Sequence, residues 1–163
     1  MTNSPNDPTD LVPMPPGSIE LEGVSKLLSP RGLAVAALQQ ALRERQFSLP
    51  LGPETALSDE DRLLSLNGFA VQLSTAGVVA DELVVDATPW ASPDSAPQLL
   101  LAALVDEENA VVAFPGVLTG TELIQQAQRA ERRAGALVLD PQTFRGGVNR
   151  LLSLVQLLEP AAL

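Results

Sequence analysis

Two adjacent glycines flanked by arginines form the group of residues best suited to bind an anion. Arg145 precedes Gly146 and Gly147, and Arg150 lies within the first turn of a predicted helix. Backbone amides at the start of a helix bind phosphate or carboxylate groups because these N–H groups have no partner within the helix. The sequence lacks the Gly-Lys-Ser/Thr of a phosphate-binding loop and the three glycines of a dinucleotide-binding turn. We therefore hypothesise an anion-binding site here without assigning its ligand.

Two acidic clusters offer oxygen atoms that could bind a metal ion. Asp106, Glu107 and Glu108 lack the alternating spacing and the distal glutamate of a calcium-binding loop, which favours a solvated hairpin tip. Asp59, Glu60 and Asp61 are better explained as negative charge at the start of a helix. The sequence thus predicts no metal ion and no cofactor.

The complete absence of histidine and cysteine narrows the possible chemistry. It removes thiol nucleophiles, imidazole acid–base catalysis and the usual zinc ligands. Lys26 is the only lysine, and the aromatic residues are four Phe and one Trp, few for a sugar-binding cleft. We predict that the protein is not an enzyme and has no catalytic residues. The alternative is an enzyme that uses only carboxylates and arginines.

The charge distribution suggests a contact surface for another protein. A net charge of −10 argues against general nucleic-acid binding. Between residues 120 and 150, however, five arginines accompany three acidic residues. On a predicted helix from Thr121 to Ala134, Arg129, Arg132 and Arg133 are neighbours and would attract an acidic partner. The alternative is that these cations only complement the dipole at the end of the helix.

Trp90 is the second candidate for a contact with a partner. It lies in a loop from Thr88 to Pro97 that contains three prolines. A tryptophan in such a loop either closes the edge of the core or is exposed as an anchor for a partner.

The elements that carry these residues are predicted from patterns of apolar residues. Gln98–Val105 is too apolar for a strand with one solvent-exposed face, so we predict a strand that is covered on both faces. A turn at residues 106–109 leads to a second strand, Ala110–Phe114, which Pro115-Gly116 should end. Thr119 and Glu122 form a capping box that begins the next helix, with Gly135 as its terminator. Leu123, Ile124, Ala127 and Ala130 would form the apolar stripe of that helix.

The other elements follow from similar signals. Ser29-Pro30 begins a helix that ends near Gln46, and Asn67-Gly68 marks a hairpin in which Leu64 and Leu66 face Val71 and Phe69. Short strands are predicted at Leu83–Val85 and Ala136–Leu139, and a break at Asp140-Pro141. A final helix, closed by Pro160, has an apolar stripe formed by Val148, Leu151, Leu152, Val155 and Leu158. Leu154 and Leu157 widen this stripe, so the 148–158 helix is buried on several sides or pairs two copies of the chain.

These elements predict an α+β domain at residues 19–163. A small, mostly antiparallel sheet built from hairpins would pack against two or three helices, after a disordered proline-rich tail at residues 1–18. The longest apolar run is far below the roughly twenty residues that cross a bilayer. Residues 1–10 lack the features of a secretory signal, so a cytoplasmic location is expected.

Several stretches resemble an uncharacterised cyanobacterial family, domain of unknown function 1822. The similarity rests on the order of elements from Leu33 onward, on GVLTGTELIQQ at Gly116–Gln126 and on GGVNRLLSLVQLLEPAAL at Gly146–Leu163. This chain has a proline-rich tail in place of a longer helical start. The resemblance implies a bacterial cytoplasmic setting and transfers no catalytic residue.

The sequence therefore favours a non-catalytic protein-interaction or regulatory module. The first alternative is a regulatory domain that binds a small molecule or anion, and the second is the enzyme described above.

Overall fold

The computed structural model describes residues 18–21, 29–45, 64–67, 69–90 and 96–157. The tail predicted at residues 1–18, except for Ser18, lies outside these ranges, as do the acidic cluster at residues 59–61 and Pro160. The helices are α1 (Pro30–Glu44), α2 (Gly120–Ala127) and α3 (Gly147–Leu157). The strands are β1 (Ile19–Glu20), β2 (Leu64–Leu66), β3 (Phe69–Gly77), β4 (Leu83–Asp86), β5 (Leu99–Asp106), β6 (Val111–Thr119), β7 (Glu131–Arg133), β8 (Ala136–Leu139) and β9 (Arg145–Gly146).

The strands form two sheets, and the predicted α+β class is confirmed. The larger sheet has the order β1-β6-β5-β3-β2, with β9 also pairing with β6. Its pairs are antiparallel except for β3 and β5, which run parallel and join the β2–β3 hairpin to the β5–β6 hairpin. The smaller sheet is antiparallel and has the order β4-β8-β7.

Strand β5 is buried on both faces, as its apolar sequence predicts. Leu99 and Leu101 face a core that includes apolar residues of α1 and α3. Leu100 and Ala102 face a second core that includes residues of the smaller sheet and Leu123 of α2. Helices therefore cover one face of the larger sheet, and the smaller sheet with α2 covers the other.

The β2–β3 hairpin has the predicted register. Leu64 pairs with Val71 and Leu66 pairs with Phe69, and all four side chains are buried. Asn67 in the turn has a φ of 52°, a left-handed conformation that asparagine adopts more readily than most residues. The turn chemistry and the apolar alternation thus fix the same register.

The prediction that Pro115-Gly116 ends β6 is wrong. The strand continues to Thr119, and two of its residues, Phe114 and Pro115, lie opposite the single residue Ala103 of β5. Such a bulge leaves one residue out of the ladder, so the missing N–H of proline costs little. Gly116 then lies against the backbone of β9, with which it pairs.

The predicted helix from Thr121 to Ala134 is also wrong in its second half. The capping box is present, with the Thr119 amide donating to the Glu122 carboxylate at 2.9 Å, but α2 ends at Ala127. Residues 131–133 instead form β7, which turns back onto β8 through Ala134 and Gly135. Both turn residues have positive φ, 51° and 84°, as a type I′ hairpin turn requires. Gly135 therefore has the predicted left-handed backbone, but in a hairpin rather than at a helix end.

Helices α1 and α3 pack on the same face of the larger sheet. Ser29 caps α1 by accepting a hydrogen bond from the Gly32 amide at 3.0 Å, as predicted. The apolar side of α1, with Leu38 and Leu42, and the first residues of the α3 stripe are buried. Leu154 of α3 packs against this core within the same chain. The association of two copies through the 148–158 helix stays a prediction.

Two glycine substitutions test the close approach of β9 to the bulged strand. A Cβ at Gly116 would lie 2.0 Å from the Arg145 carbonyl oxygen, whereas a Cβ at Gly77 would meet nothing within 4 Å. We expect Gly116→Ala to lower the free energy of unfolding by about 1–3 kcal/mol, because the β9 backbone must move. Gly77→Ala should change it little or raise it by up to about 1 kcal/mol. Equal effects of the two substitutions in urea titrations would contradict this arrangement.

Candidate functional site

Trp90 lies at the edge of the second core, at the end of a 3₁₀ turn formed by Thr88–Trp90. Its ring is half-buried and packs against that core. The indole Nε1 donates a hydrogen bond to the side-chain oxygen of Gln72, a buried residue of β3. Gln72 in turn donates from Nε2 to the Asp86 carbonyl oxygen at 2.9 Å. Gln72 therefore fixes the tryptophan, which closes part of the core while its other side borders a cleft.

The cleft beside Trp90 has a volume of about 640 Å³ and a largely apolar lining. We name it the Trp90 cleft and define it by Trp90, Leu123, Ile124, Ala127, Arg132 and Leu137. Ile124 is 62% exposed, so its predicted place on a buried stripe is wrong: of the residues of α2, Leu123 alone is buried. A large apolar side chain exposed beside an apolar cleft is a common feature of binding surfaces.

The three arginines of the predicted helix surface occupy different environments. Arg132 lines the Trp90 cleft, and no ion pair joins it to another described residue. Arg133, its neighbour on β7, binds Glu82 at 3.2 Å and Glu131 at 2.8 Å. These two carboxylates raise the pKa of the Arg133 guanidinium. Arg129 is exposed just beyond α2, so the predicted face shared by all three arginines does not exist.

The residues of the hypothetical anion site do not converge on one pocket. Arg145 lines a polar hollow with Glu122 and Asp140, while Gly146 and Gly147 line a different one beside Glu44 and Arg45.

Arg150 is engaged elsewhere. It donates to the Val117 carbonyl at 2.6 Å and to the Glu122 carboxylate at 2.8 Å. Arg150 thus connects α3 to β6 and α2 and contributes to the packing of the fold.

The acidic residues at the β5–β6 turn form a local hydrogen-bonded tip. The Asp106 carboxylate accepts hydrogen bonds from the Asn109 backbone at 3.2 Å and from its side-chain amide at 2.8 Å. Glu107 and Glu108 are exposed. Within the described ranges, no three acidic side chains are grouped so that they could hold a metal ion.

The sequence-based interpretation did not identify Ile124 or Gln72 as site residues. The spacing of Ile124 fits an apolar stripe, but the packing of α2 decides which residues of that stripe are buried. Gln72 follows Val71, so strand alternation points it away from the apolar face of the β2–β3 hairpin. Nothing in the sequence of the strand indicates the second layer that buries this other face. The smaller sheet that covers Gln72 combines β4 with residues 131–139, more than forty positions later in the chain.

The fold and the cleft define an α+β domain with a candidate binding surface. The chain matches no protein-family model, no curated protein and no solved structure. The resemblance to the cyanobacterial family and the cytoplasmic setting that it implies stay predictions. In the part of the chain that the structure describes, no helix is long and apolar enough to cross a membrane.

The bond between Glu122 and Arg150 predicts a pH-dependent stability. Partial burial raises the pKa of Glu122, but hydrogen bonds from Thr119 and Arg150 outweigh it, so the pKa lies below its ordinary value. The ionised carboxylate therefore stabilises the folded chain above the ordinary pKa, and this contribution is lost as the pH falls through the lowered one. We expect Glu122→Gln to cost about 0.5–1 kcal/mol at pH 7, since both side chains are partly exposed.

The difference between wild type and Glu122→Gln should shrink as the pH falls, measured by urea unfolding at several pH values. Glu107→Gln, at an exposed position, is the control and should change stability by less than about 0.5 kcal/mol. A difference for Glu122→Gln that is constant or grows in acid would contradict the assigned role.

Proposed function

We propose that this chain is a non-catalytic protein-interaction module and that the Trp90 cleft binds its partner. The observation that carries the proposal is the convergence of Trp90, the exposed Ile124 and Arg132 on one cleft. Aromatic, large aliphatic and arginine side chains are the types that contribute most to binding energy at protein interfaces.

The charge of the cleft indicates the chemistry of the partner. Arg132 forms no ion pair with another described residue, whereas the neighbouring Arg133 is paired with Glu82 and Glu131. A positive group at the rim of an apolar cleft is complementary to a segment with an apolar side chain next to a carboxylate. The partner segment is therefore an acidic peptide with one large apolar anchor.

The position of β7 supports the same partner. Among the described residues it is an edge strand of the smaller sheet and pairs with β8 alone, and all three of its residues are exposed. An edge strand offers free N–H and C=O groups with which an extended segment can pair. The two features together accommodate a peptide that runs along β7 and places its apolar side chain in the Trp90 cleft.

A selection from a random peptide library displayed on phage tests this proposal. We expect the wild-type chain to enrich peptides that combine a large apolar residue with Asp or Glu. Ile124→Glu should lower the affinity for the selected peptides at least about tenfold, a loss of about 1.4 kcal/mol of binding free energy. Arg132→Glu should weaken binding and abolish or reverse its decrease with salt, because it replaces attraction to the carboxylate with repulsion.

Two matched variants control for effects on the rest of the surface. Val79→Glu places the same charge at another exposed apolar residue, and Arg43→Glu reverses another exposed arginine. Both should bind the selected peptides like wild type. Failure to enrich any peptide, or equal binding to Ile124→Glu, would contradict the proposed function.

A further inference from the structure

The buried polar side chains of the described residues are concentrated at one place. The buried polar or charged residues are Arg31 (8% exposed), Gln72 (5%) and Ser74 (7%). All three line a single cleft of about 450 Å³. We name it the polar cleft and define it by Arg31, Gln72, Ser74, Thr75, Asp86 and Thr88. Burying polar groups costs free energy unless hydrogen bonds compensate, so the use of each polar group in this cleft indicates whether a ligand could bind there.

The polar side chains of this cleft come from three parts of the chain, and the turn between β7 and β8 also lines it. Arg31 lies in the first turn of α1, whose N-terminal end adds positive potential. Ser74 and Thr75 belong to β3, and Asp86 is the last residue of β4. The cleft thus carries one cation and one carboxylate, together with three hydroxyl groups.

Ser74 differs from its neighbour Gln72 in the use of its polar atoms. Gln72 donates to the Asp86 carbonyl and accepts from Trp90, so both ends of its amide are used. The Ser74 hydroxyl makes no hydrogen bond to another residue within the described ranges, although the residue is only 7% exposed. A hydroxyl that makes no hydrogen bond to a described residue and borders an open cleft is positioned to bind a ligand atom.

We propose that the polar cleft binds a small zwitterion of the α-amino-acid class. The ligand carboxylate binds the Arg31 guanidinium, and the ligand ammonium binds the Asp86 carboxylate. Arg31 and Asp86 both make other interactions, and each side chain can bind several groups at once: arginine has five N–H donors, and a carboxylate accepts at about four sites. One Asp86 oxygen already accepts from the Thr88 amide at 2.9 Å, which fixes the carboxylate. The Asp86 charge disfavours phosphate and dicarboxylates, and the cleft volume lies in the range of small-molecule sites.

The single tryptophan provides a spectroscopic readout of this site. The chain has one Trp and no Tyr, and Trp90 is bonded to Gln72, which lines the polar cleft. The full chain is titrated with each of the L-amino acids up to about 10 mM, which saturates even a site of millimolar affinity. Trp90 fluorescence and calorimetry are recorded in parallel. Each binder is then compared with its analogue lacking the amino group and its analogue lacking the carboxylate.

We expect at least one L-amino acid to bind with one-to-one stoichiometry and each analogue to bind at least tenfold more weakly. Absence of binding in calorimetry would overturn the proposal. So would inorganic phosphate or the analogue without an amino group binding as tightly as the amino acid.

Ser74→Ala tests the location, because alanine removes the hydroxyl without adding bulk to this nearly buried position. We expect this substitution to lower the affinity for the amino acid tenfold or more. Asp86→Asn should weaken binding of the amino acid more than binding of its analogue without an amino group. Ser153→Ala, at an exposed position of α3, should bind like wild type. Wild-type affinity in folded Ser74→Ala, judged by an unchanged urea transition, would place the ligand elsewhere and overturn the assignment.

Discussion

The burial of β5 on both faces is the constraint on which the rest of the structure depends. Leu99, Leu100 and Leu101 are all completely buried, yet successive side chains of a strand point to opposite faces. Each such leucine contributes about 1.5–3 kcal/mol only if its own face is covered. The helices α1 and α3 cover one face, and the smaller sheet with α2 covers the other. A fold with a single covering layer would leave half of β5 in water.

The second layer also explains where the two clefts lie. The smaller sheet packs on the larger one through apolar residues, but β3 presents Gln72 and Ser74 to it. Gln72 joins the Asp86 backbone of the smaller sheet to the Trp90 side chain. Loss of the Gln72 side-chain amide would leave these buried polar groups without partners and destabilise the fold by about 1–3 kcal/mol for each group. One buried side chain thus links the wall of the polar cleft to the wall of the Trp90 cleft.

The sequence predicted the elements whose signals are local and missed those that depend on distant partners. The Ser29 cap, the Asn67 turn and the capping box at Thr119 lie within a few residues of the groups that they bind, so pattern alone identifies them. The segment 128–135 has good helix-forming residues, but β8 needs an edge partner, and only the three-dimensional fold brings residues 131–133 to it. Pro115 predicts the end of a strand, because the bulge opposite Ala103 that accommodates it arises only when β6 pairs with β5. For the site, residue types identified Trp90 and Arg132, while the polar cleft combines residues from three segments that no spacing rule connects.

Amide hydrogen exchange measured by NMR tests the central place of β5 most directly. If β5 is the strand that both layers cover, its amides from Leu100 to Val105 should exchange only through global unfolding. The free energy of opening from their exchange should then equal the free energy of unfolding from urea titration. The exposed edge strand β7 should exchange at least about a hundredfold faster, because local opening there breaks few buried contacts. Exchange in β5 that is as fast as in β7 would contradict the account.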